Sequence, residues 1–201
     1  MQSPLDSRFA GAQRFLGKVC IITGSGQGIG AATAKRMGSE GGTIILADRS
    51  ESGVTQVQRQ LTDKGIEATT FIGDLTDWDT CHRLMQEAQS QYGKIDVLVN
   101  NVGGTIHLQY LWDYSEQQIR NEMDRSFWPT IYCMRAVLPH MLKQGQGSIV
   151  NLGSSAVKGI LRGPYAAAKG AVIGLTTSVA REVATKGIRI NCVSPHATDV
   201  T

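Results

Sequence analysis

A glycine-rich segment near the start of the chain places the strongest constraint on what it can fold into. It reads Thr23-Gly-Ser-Gly-Gln-Gly-Ile-Gly30 and lies between an apolar run, 18–23, and a helical pattern, 28–40. Glycine lets the backbone turn sharply at the end of a buried strand and enter a helix at once. The segment therefore predicts a strand–turn–helix unit whose backbone N–H groups are open to an anionic ligand.

Apolar runs and helical patterns alternate along the rest of the chain. The predicted strands lie at 43–48, 68–72, 97–100, 148–152 and 189–194, and the predicted helices at 52–64, 78–92, 115–142 and 165–185. The long helical stretch is expected to bend at Pro129. This pattern predicts an α/β Rossmann fold, a single doubly wound parallel sheet with helices on both faces. Residues 18–201 form the predicted domain, and residues 1–17 are expected to be a loose N-terminal extension.

Composition excludes several other classes of protein. The chain has 201 residues, of which 41% are hydrophobic and 18% charged, and its formal net charge is +3. It has no run of lysine and arginine typical of a nucleic-acid binder. Its apolar stretches are too short to span a membrane, and its first nine residues lack the pattern of a secretory signal. Its four cysteines are widely spaced and form no metal-binding motif, so we expect a cytoplasmic protein with reduced thiols and no metal.

Tyr165 and Lys169 form the predicted catalytic pair. Residues four apart on a helix share one face, so the lysine ammonium lies within reach of the phenol's surroundings. A tyrosine is a poor base at neutral pH because its pKa is about 10, but a nearby positive charge favours the phenolate and lowers that pKa. The pair therefore predicts a general base able to take a proton from an alcohol.

Asp48 indicates which dinucleotide the glycine segment would bind. It ends the second predicted strand, eighteen residues past Gly30. A carboxylate at this place accepts hydrogen bonds from the ribose hydroxyls of adenosine and repels a 2′-phosphate, which favours NAD over NADP. The adjacent Arg49 could soften that preference or be a solvated surface residue. The alternative for Asp48 is a cap at the start of the next helix.

Together these motifs resemble those of the short-chain dehydrogenase/reductase family. Three further segments match that family from Lys18 onward: Asp74-Leu75, Asn100-Asn-Val-Gly103 and Asn151-Leu-Gly-Ser-Ser155. Pro195-His-Ala-Thr198 matches a fourth, although His196 replaces the usual glycine. Ser126 stands where many members have an asparagine whose backbone holds a water in a proton relay. Members normally continue past Thr201 through a substrate-covering segment and a seventh strand, so a C-terminal part is expected to be missing.

The resemblance implies a role for each matching residue. Tyr165 is the general base, Lys169 lowers its pKa and holds the nicotinamide ribose, and Ser154 stabilises the charge on the substrate oxygen. Ser126 would belong to the proton relay. For Ser154 two alternatives stay open: the adjacent Ser155 could be the active serine, or Ser154 could merely cap a turn. The implied NAD-binding residues are Gly24, Gln27, Gly28, Ile29, Gly30, Asp48, Arg49, Asp74, Leu75, Asn101, Val102, Gly103, Tyr165, Lys169, Pro195 and Thr198. A homodimer or homotetramer is also implied, with apolar residues of the long helices serving either the interface or the core.

A narrower resemblance concerns the substrate. Segments 100–106, 125–130, 135–141 and 163–169 look like those of the bacterial cis-dihydrodiol carboxylate dehydrogenases of aromatic-acid catabolism. This implies NAD-dependent oxidation of a cis-diol of benzoate or p-cumate to the catechol. Arg162 would bind the carboxylate, although a solvated or intersubunit arginine is equally open, and Thr105 would face the substrate with Ser154. The alternative is a general NAD(P)-dependent secondary-alcohol dehydrogenase or 3-oxoacyl reductase of the same family, against which Asp48 counts.

Overall fold

Parallel strands form the centre of the structure, a computed structural model that describes residues 11–198. The strands are β1 (Val19–Thr23), β2 (Thr43–Asp48), β3 (Ala68–Ile72), β4 (Val97–Asn100), β5 (Gly147–Leu152) and β6 (Ile188–Val193). Their order across the sheet is β3-β2-β1-β4-β5-β6, and every neighbouring pair is parallel. Chain order reverses between β1 and β4, so the carboxyl ends of these strands border a crevice where ligands bind in such sheets.

Helices cover both faces of the sheet. They are α1 (Gly28–Ser39), α2 (Glu51–Thr62), α3 (Trp78–Tyr92), α4 (Glu116–Ser126), α5 (Trp128–Gln144) and α6 (Gly163–Glu182). Successive strand residues point to opposite faces. Accordingly Ile21 packs in the core with α3 and α5, and Ile22 packs in the core with α1 and α2. The predicted doubly wound fold is confirmed, and β2, β3, β4 and α3 have the predicted bounds.

The predicted long helix, 115–142, is two helices. The break lies at Phe127, two residues before the expected bend at Pro129. Proline has no N–H to donate to the carbonyl of Arg125. The next N–H, of Thr130, donates to the Phe127 carbonyl at 3.0 Å instead of to Ser126. The proline therefore disturbs the turn that precedes it, which moves the bend upstream.

The described part of the N-terminal extension, residues 11–17, is attached to the domain. Nη2 of Arg14 donates to Oε1 of Glu40 at 2.6 Å. The N–H of Phe15 donates to the Glu40 carbonyl at 3.0 Å, and the Phe15 side chain packs against the core beside α1. The expectation of a loose segment is therefore wrong for Arg14 and Phe15. Residues 1–10 of the predicted extension and 199–201 of the predicted domain lie outside the described residues.

The other expectations from composition concern membranes, metals and thiols. Among residues 11–198, no helix is long and apolar enough to cross a membrane. The same residues contain no cluster of histidine, cysteine and acidic side chains that could hold a metal ion. Cys20, Cys81 and Cys133 are free and buried, as predicted, whereas Cys192 is free and half-buried.

Candidate active site

The glycine segment forms the turn between β1 and α1. Gly24 and Gly28 have φ values of 62° and 55°, in the left-handed region that glycine adopts without strain. A Cβ on Gly30 would lie 2.2 Å from the Gly24 carbonyl oxygen, so α1 can start against the turn only with glycine there. No side chain caps the N-terminus of α1, whereas Ser50 and Asp77 cap α2 and α3. The first N–H groups of α1 are therefore available to an anion.

Asn101, which follows β4, holds this turn in place. Its Nδ2 donates to the carbonyls of Thr23 and Gly24 at 3.1 and 2.9 Å. Its backbone N–H donates to Oγ1 of Thr23 at 3.0 Å. The Asn101 side chain therefore positions the glycine turn, a role that the sequence did not indicate because the partners are far apart in the chain.

The carboxylate of Asp48 lies beside the same turn. Its Oδ2 accepts the N–H of Gly26 at 2.9 Å, and its Oδ1 accepts the N–H of Ser50 at 3.0 Å. The second contact closes the turn before α2, but the side chain that caps α2 is that of Ser50, so the alternative of a helix cap for Asp48 is wrong. Each carboxylate oxygen retains a lone pair that can accept a further hydrogen bond from a hydroxyl.

These residues line one open cleft with a volume of about 950 Å³. Eleven of the residues predicted to hold the cofactor line it: Gly24, Gln27, Gly28, Ile29, Asp48, Arg49, Asp74, Leu75, Asn101, Val102 and Gly103. Sequence reasoning missed the other eleven lining residues, among them Gly26, Ile106, Asn121, Asp124 and Arg125. Gly26 could have been found, because it lies inside the glycine segment. The other four named residues depend on how α4 and its preceding loop pack, which no local pattern shows.

Lys169 reaches the edge of this cleft from α6. Its side chain is buried, and Nζ donates to the carbonyl of Leu152 at 2.7 Å. A Cβ on Gly103 would lie 2.8 Å from the same Nζ, so the ammonium lies directly against a residue that lines the cleft. Burial lowers the pKa of Lys169 to about 8. Tyr165 is half-buried one helical turn earlier, at the start of α6.

Ser154 lies between the end of β5 and a short 3-10 turn, Ser155–Lys158. Its Oγ accepts the N–H of Ala156 at 3.0 Å, so the turn-capping alternative is correct. The hydroxyl proton is not used in that contact, and it can be donated to a substrate oxygen. The neighbouring Ser155 is exposed, and its N–H donates to the Pro195 carbonyl at 3.0 Å.

Ser126 is buried at the break between α4 and α5. Its Oγ accepts the N–H of Gly104 at 3.3 Å. Its Cα and the Lys169 ammonium both lie within 3.6 Å of the position that a Cβ on Gly103 would occupy. Since Thr130 donates to Phe127, the Ser126 carbonyl lacks its usual helical donor and can accept another.

The remaining predicted residues lie outside the cleft. Pro195 lines a second cavity, of about 980 Å³, bordered by α1 and by β4 to β6. Thr198 is exposed, and its hydroxyl donates to the His196 carbonyl at 2.9 Å. Thr105 and Arg162 are half-buried on the loops that follow β4 and β5. The structure therefore brings neither Pro195 nor Thr198 to the cleft beside the glycine turn.

Comparison with known proteins agrees with this geometry. The sequence model of a family described as short chain dehydrogenase matches residues 18–201. The chain belongs to this family, as its motifs predicted, and is an oxidoreductase.

Individual proteins similar to this chain have names that are more specific than the family description. A Pseudomonas putida protein named 1,6-dihydroxycyclohexa-2,4-diene-1-carboxylate dehydrogenase is 44% identical over 190 residues, which are 93% of this chain and 69% of that protein. A 2,3-dihydroxy-2,3-dihydro-p-cumate dehydrogenase of the same species is 33% identical over 184 residues, or 90% of this chain and 71% of that protein. The solved structure of NAD+-bound xylitol dehydrogenase superposes with a TM-score of 0.88 and 34% identity, covering 91% of this chain and 71% of that one. The predicted resemblance to the cis-dihydrodiol carboxylate dehydrogenases is confirmed.

Proposed function

We propose that this protein oxidises the cis-dihydrodiol of an aromatic carboxylic acid to the catechol with NAD. The observation that carries the proposal is the meeting of the glycine turn, the Asp48 carboxylate and the Lys169 ammonium around one cleft. The names of the two relatives, which specify a dihydroxycyclohexadiene carboxylate and a dihydrodiol of p-cumate, support the substrate class. One ring carbon of the diol would lose a hydride to the dinucleotide and its hydroxyl would lose a proton, which gives a ketone. The ring becomes aromatic once the other diol carbon loses a proton or, where that carbon bears the carboxylate, carbon dioxide, and the ketone oxygen takes up a proton.

The cleft fits a nicotinamide dinucleotide. The uncapped start of α1 would hold the pyrophosphate, and Asp48 would accept the adenosine ribose hydroxyls. The carboxylate would repel a 2′-phosphate, which favours NAD over NADP. When bound, the dinucleotide supplies the hydride acceptor.

Three side chains and one backbone carbonyl would handle the proton and the substrate oxygen. Tyr165 takes the hydroxyl proton, and Ser154 donates a hydrogen bond to the oxygen as it becomes a carbonyl. Lys169 keeps a positive charge beside Gly103, where the nicotinamide ribose would lie. The Ser126 carbonyl would hold a water that carries the proton away from Lys169.

The substrate carboxylate needs a cation, and Arg162 supplies one on the loop between Ser154 and Tyr165. Its Nε is buried and has no hydrogen-bond partner among the described residues. A buried guanidinium nitrogen without an acceptor is costly, and a bound carboxylate would supply that acceptor. Thr105 would face the same substrate from the loop after β4.

We also propose a homodimer or homotetramer in the cytoplasm. Of the apolar residues considered for an interface, Met134, Val137 and Val172 are buried in the core. Ile131 and Leu175 are half-buried and remain available for a subunit contact. Sedimentation tests the assembly, and a fully active monomer would overturn it.

The experiment that tests the function measures reduction of NAD and of NADP with a panel of cis-dihydrodiols. The panel includes the diols of benzoate and p-cumate and the matched diol of benzene, which lacks a carboxylate. Turnover with NAD restricted to the carboxylated diols supports the proposal. Turnover only with simple secondary alcohols, or with 3-oxoacyl substrates in the reverse direction, overturns the substrate class and favours the general reductase.

A further inference from the structure

A buried carboxylate anchors the loop that follows β4. Glu122 lies on α4 and is 0% exposed. Its Oε1 accepts the N–H groups of Ile106 and His107, each at 2.8 Å. None of the ion pairs among residues 11–198 includes this carboxylate, and its Oε2 has no hydrogen-bond partner there. Burying an unpaired carboxylate is costly. The two hydrogen bonds from the backbone amides offset part of this cost and attach the loop to α4.

Tyr114 joins the same loop to the loop that carries Arg162. The ring is buried, and its hydroxyl donates to the His107 carbonyl at 2.8 Å and lies 3.4 Å from the Leu161 carbonyl. The N–H of Gln109 donates to that Leu161 carbonyl at 2.8 Å. Burial, and secondarily the charge of Glu122, raises the pKa of Tyr114, so the hydroxyl remains a donor at neutral pH.

The Leu161 backbone shows why these contacts are needed. Its φ is 63°, the one positive value at a non-glycine residue in the described chain. A side chain disfavours this left-handed conformation, which persists only where surrounding contacts enforce it. The hydrogen bond from the Gln109 N–H and the longer contact with the Tyr114 hydroxyl, whose proton is shared with the His107 carbonyl, are such contacts on the Leu161 carbonyl, directly before Arg162.

We propose that Tyr114 and Glu122 are positioning residues for substrate recognition. Glu122 fixes the segment that follows Thr105, and Tyr114 fixes the strained Leu161 turn that aims Arg162. The two loops therefore form one wall of the substrate site. This inference rests on the proposed function in taking Arg162 as the carboxylate anchor.

Tyr114→Phe removes only the hydroxyl and tests the link to Arg162. We expect KM for the carboxylated cis-diol to rise about fivefold, as for the loss of one hydrogen bond, with a smaller change in kcat. KM for NAD and for the matched diol without a carboxylate should change less than about twofold, because neither depends on Arg162. A merely structural role would not produce this selectivity. Tyr110→Phe, on an exposed ring of the same loop, is the matched control and should change neither KM.

Glu122 is tested by two substitutions of similar size. In Glu122→Gln the amide oxygen can still accept both N–H groups, and the NH2 group replaces the unpartnered oxygen. We expect its kcat/KM to stay within about threefold of the original and that of Glu122→Leu to fall more than about tenfold, because two buried donors lose their acceptor. Equal kcat/KM in the two variants would overturn the role of Glu122.

Arg162→Met separates failure of this inference from failure of the proposed function. If it raises KM for the carboxylated diol alone and Tyr114→Phe does the same more weakly, both ideas hold. If it raises that KM but Tyr114→Phe behaves like Tyr110→Phe, the positioning inference is overturned and the anchor stands. If it changes no KM, the anchor is overturned, and with it the role of Tyr114. Circular dichroism of each variant confirms folding, and Tyr114→Phe decides the matter should Glu122→Leu fail to fold.

Discussion

Nζ of Lys169 donates a hydrogen bond to the carbonyl oxygen of Leu152 at 2.7 Å, which ties α6 to the end of β5. Leu152 lies two residues before Ser154, so this contact fixes the spacing between the Tyr165–Lys169 helix and the serine loop. The lysine side chain is buried, and burial lowers its pKa to about 8 from an ordinary value of 10.5. A buried ammonium disfavours folding, and the role proposed for Lys169 at the cleft would account for its presence.

Lys169→Met should abolish turnover without lowering stability at neutral pH. Between pH 8 and 10.5 the unfolded chain binds more protons than the folded chain, so the free energy of unfolding rises with pH there. The penalty is fully present below pH 8 and is absent from the variant. We expect urea denaturation to show that, from about pH 7.5 to about pH 10, the free energy of unfolding of the original protein rises relative to that of the variant. Lys143→Met, at an exposed lysine, is the control. A constant difference across this range would contradict the buried ammonium.

Tyr165→Phe should lose turnover while retaining the cofactor. Removing a general base typically lowers kcat by about 10²- to 10⁴-fold. The phenyl ring preserves packing at the start of α6, so the Kd for NAD should stay within about twofold. Steady-state kinetics and quenching of protein fluorescence by NAD measure the two quantities. Residual kcat above one tenth would remove Tyr165 from the general-base role.

Asp48→Asn should weaken the preference for NAD. The amide oxygen keeps one acceptor for the Gly26 N–H, but the negative charge that repels a 2′-phosphate is lost. We expect kcat/KM with NAD to fall about tenfold and that with NADP to rise, measured with the same diol. Asp63→Asn, at the exposed end of α2, is the control. An unchanged ratio of NAD to NADP would show that Asp48 serves only the turns at Gly26 and Ser50.

Gly30→Ala tests the packing that opens α1 to an anion. The new Cβ would lie 2.2 Å from the Gly24 carbonyl oxygen and 2.7 Å from Nδ2 of Asn101, so the turn must move. Such overpacking costs about 1–3 kcal/mol of the free energy of unfolding. NAD binding should weaken as well, because the turn holds the first N–H groups of α1. Lys35→Ala, on the exposed side of α1, should change neither quantity.

Sequence alone predicts the layers of this fold because the central strands β1, β2 and β4 are almost unbroken apolar runs. Strands β2 and β4 have the predicted bounds for this reason. The break between α4 and α5 was misplaced, since the effect of Pro129 falls on a carbonyl four residues earlier. The attachment of Arg14 was missed because its partner, Glu40, is distant in sequence and lies at the end of a helix.

The candidate site likewise contains residues that the sequence predicts and residues that it does not. Residues within one motif, such as Gly24 and Gly28 or Tyr165 and Lys169, are found from spacing because the turn and the helix fix their geometry. Glu122 has no such signature: in sequence it is one more acidic residue on α4. Only the folded chain shows that it faces inward and binds the backbone of a loop that lines the cleft.

Glu40 allows a prediction about acid stability that is independent of catalysis. Its carboxylate is buried and accepts hydrogen bonds from Arg14 at 2.6 Å and from Arg36 at 2.5 Å. The guanidinium of Arg14, followed by that of Arg36, holds the pKa of Glu40 at about 2, below its ordinary 4.5. Between these values the unfolded chain binds more protons, so the stabilisation is complete above pH 4.5 and is lost as pH falls towards 2.

Glu40→Gln should therefore lower the free energy of unfolding by about 2 kcal/mol at neutral pH, the usual contribution of hydrogen bonds to a charged group. The difference from the original protein should shrink steadily as pH falls below 4.5, because protonation removes the same charge from Glu40. Chemical denaturation at a series of pH values measures it. Glu87→Gln, which removes an exposed carboxylate 4.0 Å from Arg83, should cost less than about 0.5 kcal/mol at every pH. A difference for Glu40→Gln that does not change with pH would show that the contacts with Arg14 and Arg36 act through packing and not through charge.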